Sequence, residues 1–192
     1  MSKLHRDDLE DATEDDTEDV EGEEICECYQ CAFGPQAMQA LIEQGIRDVG
    51  WIAIPIADGE PFAFCYTVGL KETFGHPEFI MQGNFDPRQM AQIIGEAVEK
   101  LREEPDAFQA QEVPGVIKVR VHGVIQDGMI GCRDVTRENR LGLLCRAGSR
   151  YGDDDFEAKQ LIFPDQHALL PWQPGFNEEW GAQQATLYEL YE

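Results

Sequence analysis

The sequence predicts an α+β fold, a largely antiparallel sheet of about five to six strands with two or three helices packed on it. Two hairpin signatures carry this reading: β-rich segments flank Asp58-Gly59 and Asp127-Gly128, dipeptides that favour tight reversals. Segments with a single apolar face at helical spacing lie before, between and after these hairpins. Such stripes bury themselves on a neighbouring sheet.

The elements follow in order. Pro35 can occupy the first turn of a helix, where its missing N–H costs nothing. Met38, Leu41, Ile42, Ile46 and Val49 then recur every three or four residues, and Gly50 ends the pattern. Trp51–Ile56 reads as a strand, with Phe62–Gly69 returning after the Asp58-Gly59 turn. On that return strand Phe62, Phe64, Tyr66 and Val68 share one face and Ala63, Cys65 and Thr67 the other. Glu78–Gln82 is a third strand. Asp86 caps the next helix with Pro87 at its first position, and Met90, Ile93, Ile94, Ala97, Val98 and Leu101 form its stripe. Val116–Ile125 and Met129–Val135 make the second hairpin. Residues 136–148 look helical with Leu141, Leu144 and Cys145 inward, and Gln160–Phe163 is a short strand before a Pro/Trp/Gly-rich segment ending at Phe176.

Charge divides the chain. Residues 1–24 hold twelve acids against Lys3 and Arg6, a net −10 that leaves −13 of the total −23 for the rest. A segment this polar and self-repelling is expected to be disordered, so the sequence divides into an acidic tail, 1–24, and one α+β domain, 25–192. An acidic surface argues against nucleic acid and against anionic membranes, since it offers little cation density to either. A protein partner with a basic surface fits it. No apolar run approaches the roughly 20 residues of a membrane-spanning helix, and the N-terminus lacks a signal-peptide core. Cytoplasmic localisation is the expectation, and the six cysteines then read as thiols or metal ligands rather than disulfides.

Phe64-Cys-Tyr-Thr-Val-Gly-Leu70, Phe74-Gly-His-Pro-Glu78, Arg150-Tyr-Gly152, Gln160-Leu-Ile-Phe-Pro-Asp165 and Pro171-Trp-Gln-Pro-Gly-Phe176, preceded by Gly50-Trp51, stand in a specific order. The combination resembles the bacterial family of proteins with domain of unknown function 4262, over roughly residues 26–176. The resemblance implies a shared fold and no particular reaction. A short N-terminal Cys-x-x-Cys, matched by Cys28 and Cys31, belongs to the same likeness, whereas Cys26 and the acidic extension depart from it.

Three groups of residues could carry chemistry. Cys26, Cys28 and Cys31 offer soft ligands at the spacing of half a zinc site, with Cys65, Cys132, Cys145, His76 or His122 as a fourth ligand. A Cys28–Cys31 redox pair and plain reduced thiols are the other readings of this run. In the Gly-His-Pro-Glu turn, His76 and Glu78 could act as a general base with its orienting carboxylate, or Cys65 and His76 as a dyad. The competing reading is a structural turn in which His76 bonds a neighbouring carbonyl. Tyr66, Thr67, Arg150, Tyr151, Asp165 and Trp172 are candidate walls of a small-ligand pocket, and Trp172 equally suits an aromatic plug at the core edge. Asp153-Asp154-Asp155 lacks the calcium-loop pattern, and neither phosphate-loop motif occurs.

Three functions remain open: an interaction or accessory domain with an acidic tail, a ligand-binding or enzymatic domain sited around His76, and a zinc-stabilised module. The first is favoured, because the sequence assembles no complete catalytic set while its charge asymmetry is plain.

Overall fold

Six strands form one sheet in the order β1-β2-β3-β6-β5-β4. The computed structural model describes residues 29–57, 59, 61–121 and 124–189. The strands are β1 (Ile52–Ile56), β2 (Phe64–Val68), β3 (Glu78–Gln82), β4 (Glu112–Val121), β5 (Val124–Asp134) and β6 (Ala158–Ile162). Every neighbouring pair is antiparallel except β3 and β6, which run parallel with Glu78 opposite Ala158. The α+β expectation therefore holds, with the sheet at the upper end of the expected strand number. The acidic segment 1–24 lies outside the described residues.

The alternation read from β2 separates two cores. Phe64, Tyr66 and Val68 face Met38 and Ile42 of α1 (Tyr29–Val49), together with Leu144, Ala147 and Phe156. Cys65 faces the other way, toward Met90, Ile94, Ala97, Val98 and Leu101 of α3 (Pro87–Glu103). All five β2 residues are buried, because helices cover both faces of the sheet. Asp86 caps α3 as expected, its carboxylate accepting from the Arg88 N–H at 2.8 Å with Pro87 inside the first turn. Gly34, at φ 69°, breaks the start of α1, and the run from Pro35 ends at Gly50, whose φ is 92°.

Four expectations are corrected. β4 and β5 pair as far as Val121 opposite Val124, so the chain reverses there and not at Asp127-Gly128. Asp127 stands opposite Lys118, with which it forms an ion pair. Gly128 stands opposite Ile117, beside an irregularity in β4 that contains Gly115 at φ 80°. Both turn-forming residues are thus used within a strand, next to a bulge. The first hairpin also lacks a tight two-residue turn: Ile56 opposite Phe64 is its last pair, and Ala63 instead accepts the Gly83 N–H at 3.0 Å. The helix expected over 136–148 is two helices, α4 (Arg137–Leu143) and α5 (Cys145–Tyr151), divided at Leu144 (φ −94°, ψ 49°). That break turns Ala147 inward and leaves Cys145 exposed. Two short helices were not foreseen, α2 (Leu70–Phe74) and α6 (Glu178–Gly181).

The chain after β6 is strapped down by glutamines. Gln160 accepts from the Leu187 N–H and donates to the Ala185 carbonyl, at 2.9 and 2.6 Å. Gln184 makes the equivalent pair of bonds to the backbone of Phe163. Trp172 lies on β5 where Gly131 leaves room: a Cβ there would come within 2.6 Å of the indole and 3.1 Å of Ile162. Gly131→Ala is therefore expected to lower stability by about 1–3 kcal/mol. Gly95→Ala, in open space on α3, should instead raise it by about 0.5–1 kcal/mol. Urea unfolding of the two variants checks this opposition of sign.

Candidate functional site

The corner between β2 and α2 is closed by a glycine. Gly69 has φ 117°, and a Cβ on it would sit 2.6 Å from the Gly50 carbonyl oxygen and 2.8 Å from Trp51 Cα. Backbone crowding of that kind leaves no substitute for glycine. The tight corner turns three successive N–H groups, those of Gly69, Leu70 and Lys71, onto the carboxylate of Glu78 at 3.1, 3.3 and 3.2 Å. These belong to the first turn of α2, whose N–H groups have no partners within the helix.

Two hydroxyls complete the set. Thr67 donates to Glu78 Oε2 at 2.6 Å while accepting the Phe79 N–H at 2.8 Å. Tyr151 donates to Glu78 Oε1 at 3.0 Å while accepting the Gly69 N–H at 2.9 Å. Glu78 and Thr67 are both 0% exposed. Burial pushes the Glu78 carboxyl above its ordinary range, against the opposing pull of the bonds from Thr67, Lys71, Tyr151 and Gly69. Burial, reinforced by the Glu78 charge, also raises the Tyr151 phenol. The result is a fully coordinated internal carboxylate that joins β2, α2, β3 and α5.

Around it lies a second layer. Arg150 forms a forked ion pair with Glu72, its Nη2 at 3.0 Å from Oε2, and reaches Glu43 with Nη1 at 2.6 Å. This ties α5 to α2 and α1, and the bond from Arg150 holds the Glu43 carboxyl below its usual value. Lys71 pairs with Asp155 at 3.0 Å and lies 5.3 Å from the centre of the Tyr151 ring.

The sequence candidates fall in separate places. Thr67, Glu78 and Tyr151 converge as described. His76 is not among the donors to Glu78: its Nδ1 lies 2.7 Å from the Pro77 carbonyl oxygen. The imidazole packs on Phe79 and Phe108 at 4.9 and 5.9 Å between centroids, and burial lowers its pKa. Its open side borders a cleft of about 330 Å³ shared with Lys71, Arg140 and Asp155. Cys65 is 0% exposed, and burial pushes its thiol up to about 12. Tyr66 is equally buried, its hydroxyl 3.8 Å from Cys145 Sγ. Asp165 accepts the N–H groups of His167, Leu169 and Asn177 at 2.8–2.9 Å. Burial raises its carboxyl, and the three bonds outweigh this to leave it below its ordinary value. Trp172 donates to Glu112 at 2.8 Å, far from Glu78 in the sheet order. Cys26 and Cys28 lie outside the described residues, and of Cys31 only the backbone is described, within α1. Among the described residues no group of three or more His, Cys, Asp and Glu could hold a metal.

Four basic residues that line clefts, Arg133, Arg137, Arg140 and Lys159, were not singled out from the sequence. Arg133 follows Gly131 and Cys132 on a strand, and only the knowledge that Trp172 crosses Gly131 would have marked it.

The family model described as a domain of unknown function, DUF4262, matches residues 45–177, and the chain belongs to that family. The match begins after the Cys26–Cys31 run, later than the expected start near residue 26. No curated protein and no solved structure matches the chain. No helix among the described residues is long and apolar enough to cross a membrane.

Burial separates the three described thiols. Iodoacetamide on the native protein is expected to label Cys145 and to spare Cys65 and Cys132, both desolvated to about 12. Peptide mapping that finds Cys65 modified at a comparable rate contradicts this.

Proposed function

We propose that the protein is a cytoplasmic interaction or accessory domain, folded from about residue 25, whose acidic segment 1–24 docks on a basic surface of a protein partner. One observation carries the reading: the polar residues of the family-like motif are committed to internal bonds. Glu78 is coordinated by five donors, Arg150 is shared between Glu72 and Glu43, and Asp165 organises its own loop. The motif then serves to build the scaffold, while the densest charge lies outside it, net −10 over 24 residues. A charge block of this density steers and holds a cationic partner, with a strong dependence on salt.

Around the Gly-His-Pro-Glu turn, the His76 cleft favours a small-ligand reading. There His76, its Nδ1 occupied by the Pro77 carbonyl, lines the cleft together with Lys71 and Arg140. Among the described residues no carboxylate is bonded to His76 to complete an acid–base pair, so this is the second reading.

Cross-linking mass spectrometry in intact cells separates them. Cross-links from Lys3 are expected to recur on Lys/Arg-rich segments of one partner, and to disappear when the twelve acids of residues 1–24 are replaced by Asn and Gln. A cross-link pattern unaffected by that neutralisation would contradict the interaction reading.

A further inference from the structure

Strand β5 outlasts its neighbour. β4 begins at Glu112 opposite Gly131, so Cys132, Arg133 and Asp134 extend beyond it, with the Cys132 N–H bonded to the Gln111 carbonyl at 2.9 Å. A recess of about 440 Å³ opens at this step, lined by Arg133, Arg137, Lys159, Asp134, Tyr188 and Glu189 among others.

Arg133 is held there by aromatic rings. Its guanidinium carbon lies 4.1 Å from the centre of the Trp172 ring and 5.9 Å from that of Tyr188. Trp172 is itself fixed, by its bond to Glu112 and by its seat on Gly131. Arg133 Nε is buried without a hydrogen-bond partner, and the guanidinium makes no hydrogen bond or ion pair among the described residues. The neighbouring cations differ: Lys159 pairs with Asp134 at 2.6 Å and Arg137 with Asp154 at 2.7 Å. An arginine that faces a recess with no carboxylate bonded to it is unexpected in a chain with 38 acidic and 15 basic residues.

Stacking occupies the faces of a guanidinium and leaves its in-plane N–H edges free, the geometry that grips an oxyanion with two parallel bonds. We propose that this recess is a binding site for a small oxyanion, a carboxylate or phosphate group, held on the free edge of Arg133 with Lys159 supplying a second positive charge. A long polyanion such as nucleic acid is disfavoured by the net charge of −23 on the chain. Glu189 and Asp134, the latter paired with Lys159, are the carboxylates of the chain that line the same recess, and the negative charge they bring lowers affinity for the ligand.

Calorimetric titration of the full chain at constant ionic strength tests the site, with inorganic phosphate and citrate as separate probes. Saturable one-site binding of at least one probe is expected, and which one binds distinguishes a phosphate from a carboxylate ligand. Arg133→Met should weaken binding about 10- to 100-fold, the loss of a charge-assisted bond. Arg133→Lys, which keeps the charge but not the planar fork, should weaken it less. Glu189→Gln should strengthen it, and Arg88→Met, on an exposed residue of α3, should leave it unchanged. The proposal is overturned if neither probe saturates, or if the probe that binds does so equally well in the Arg133→Lys and Glu189→Gln proteins. The Lys and Gln variants keep the test decisive even if Arg133→Met does not fold.

Discussion

The buried carboxylate of Glu78 is the interaction on which the arrangement of this protein depends. A charge taken from water is tolerable only when its lone pairs are met by donors. Here three backbone N–H groups and two hydroxyls meet them. Those donors come from the end of β2, from the start of α2 and from α5, while the acceptor begins β3. One side chain thus fixes how four elements approach each other. Its satisfaction depends in turn on Gly69, the only residue type that can pass so close to the backbone of Gly50 and Trp51.

Outward from that centre, each polar residue secures a longer-range connection. Arg150 bolts α5 to α1 and α2 through two carboxylates, Asp165 closes the loop after β6, and Gln160 and Gln184 hold the chain that follows. The sheet can then be covered on both faces, by α3 on one side and by α1 with α5 on the other. The family-like motif reads as the sequence record of this internal wiring. Two clefts lie outside this wiring at their centres, one beside His76 and one beside Arg133.

Elements with strong local signals were legible in the sequence. The alternation of Phe64, Cys65, Tyr66, Thr67 and Val68 foretold which of these side chains share a face, and the Asp86-Pro87 start foretold the cap of α3. Glu78 was noticed, but assigned to His76, because sequence proximity hides that its donors come from residues 67 to 71 and from Tyr151. Asp127-Gly128 carries turn chemistry that the structure spends inside a strand, since pairing with β4 and the nearby bulge outweigh the local preference. Leu144 carries no breaker signal, so the division of one expected helix into two could not be read locally. The isolation of Arg133 depends on Trp172, which is distant in sequence, and no local pattern reports that.

Native-state hydrogen exchange at the amides of Gly69, Leu70 and Lys71, compared between the wild-type chain and Glu78→Gln, addresses the central claim most directly. An amide in place of the carboxylate turns an N–H toward donors that need an acceptor. These three positions should then exchange about 10- to 100-fold faster, while the amides of α3 keep their protection. Protection at all three left as it is in the wild-type chain, in a variant that remains folded, would contradict the role assigned to Glu78.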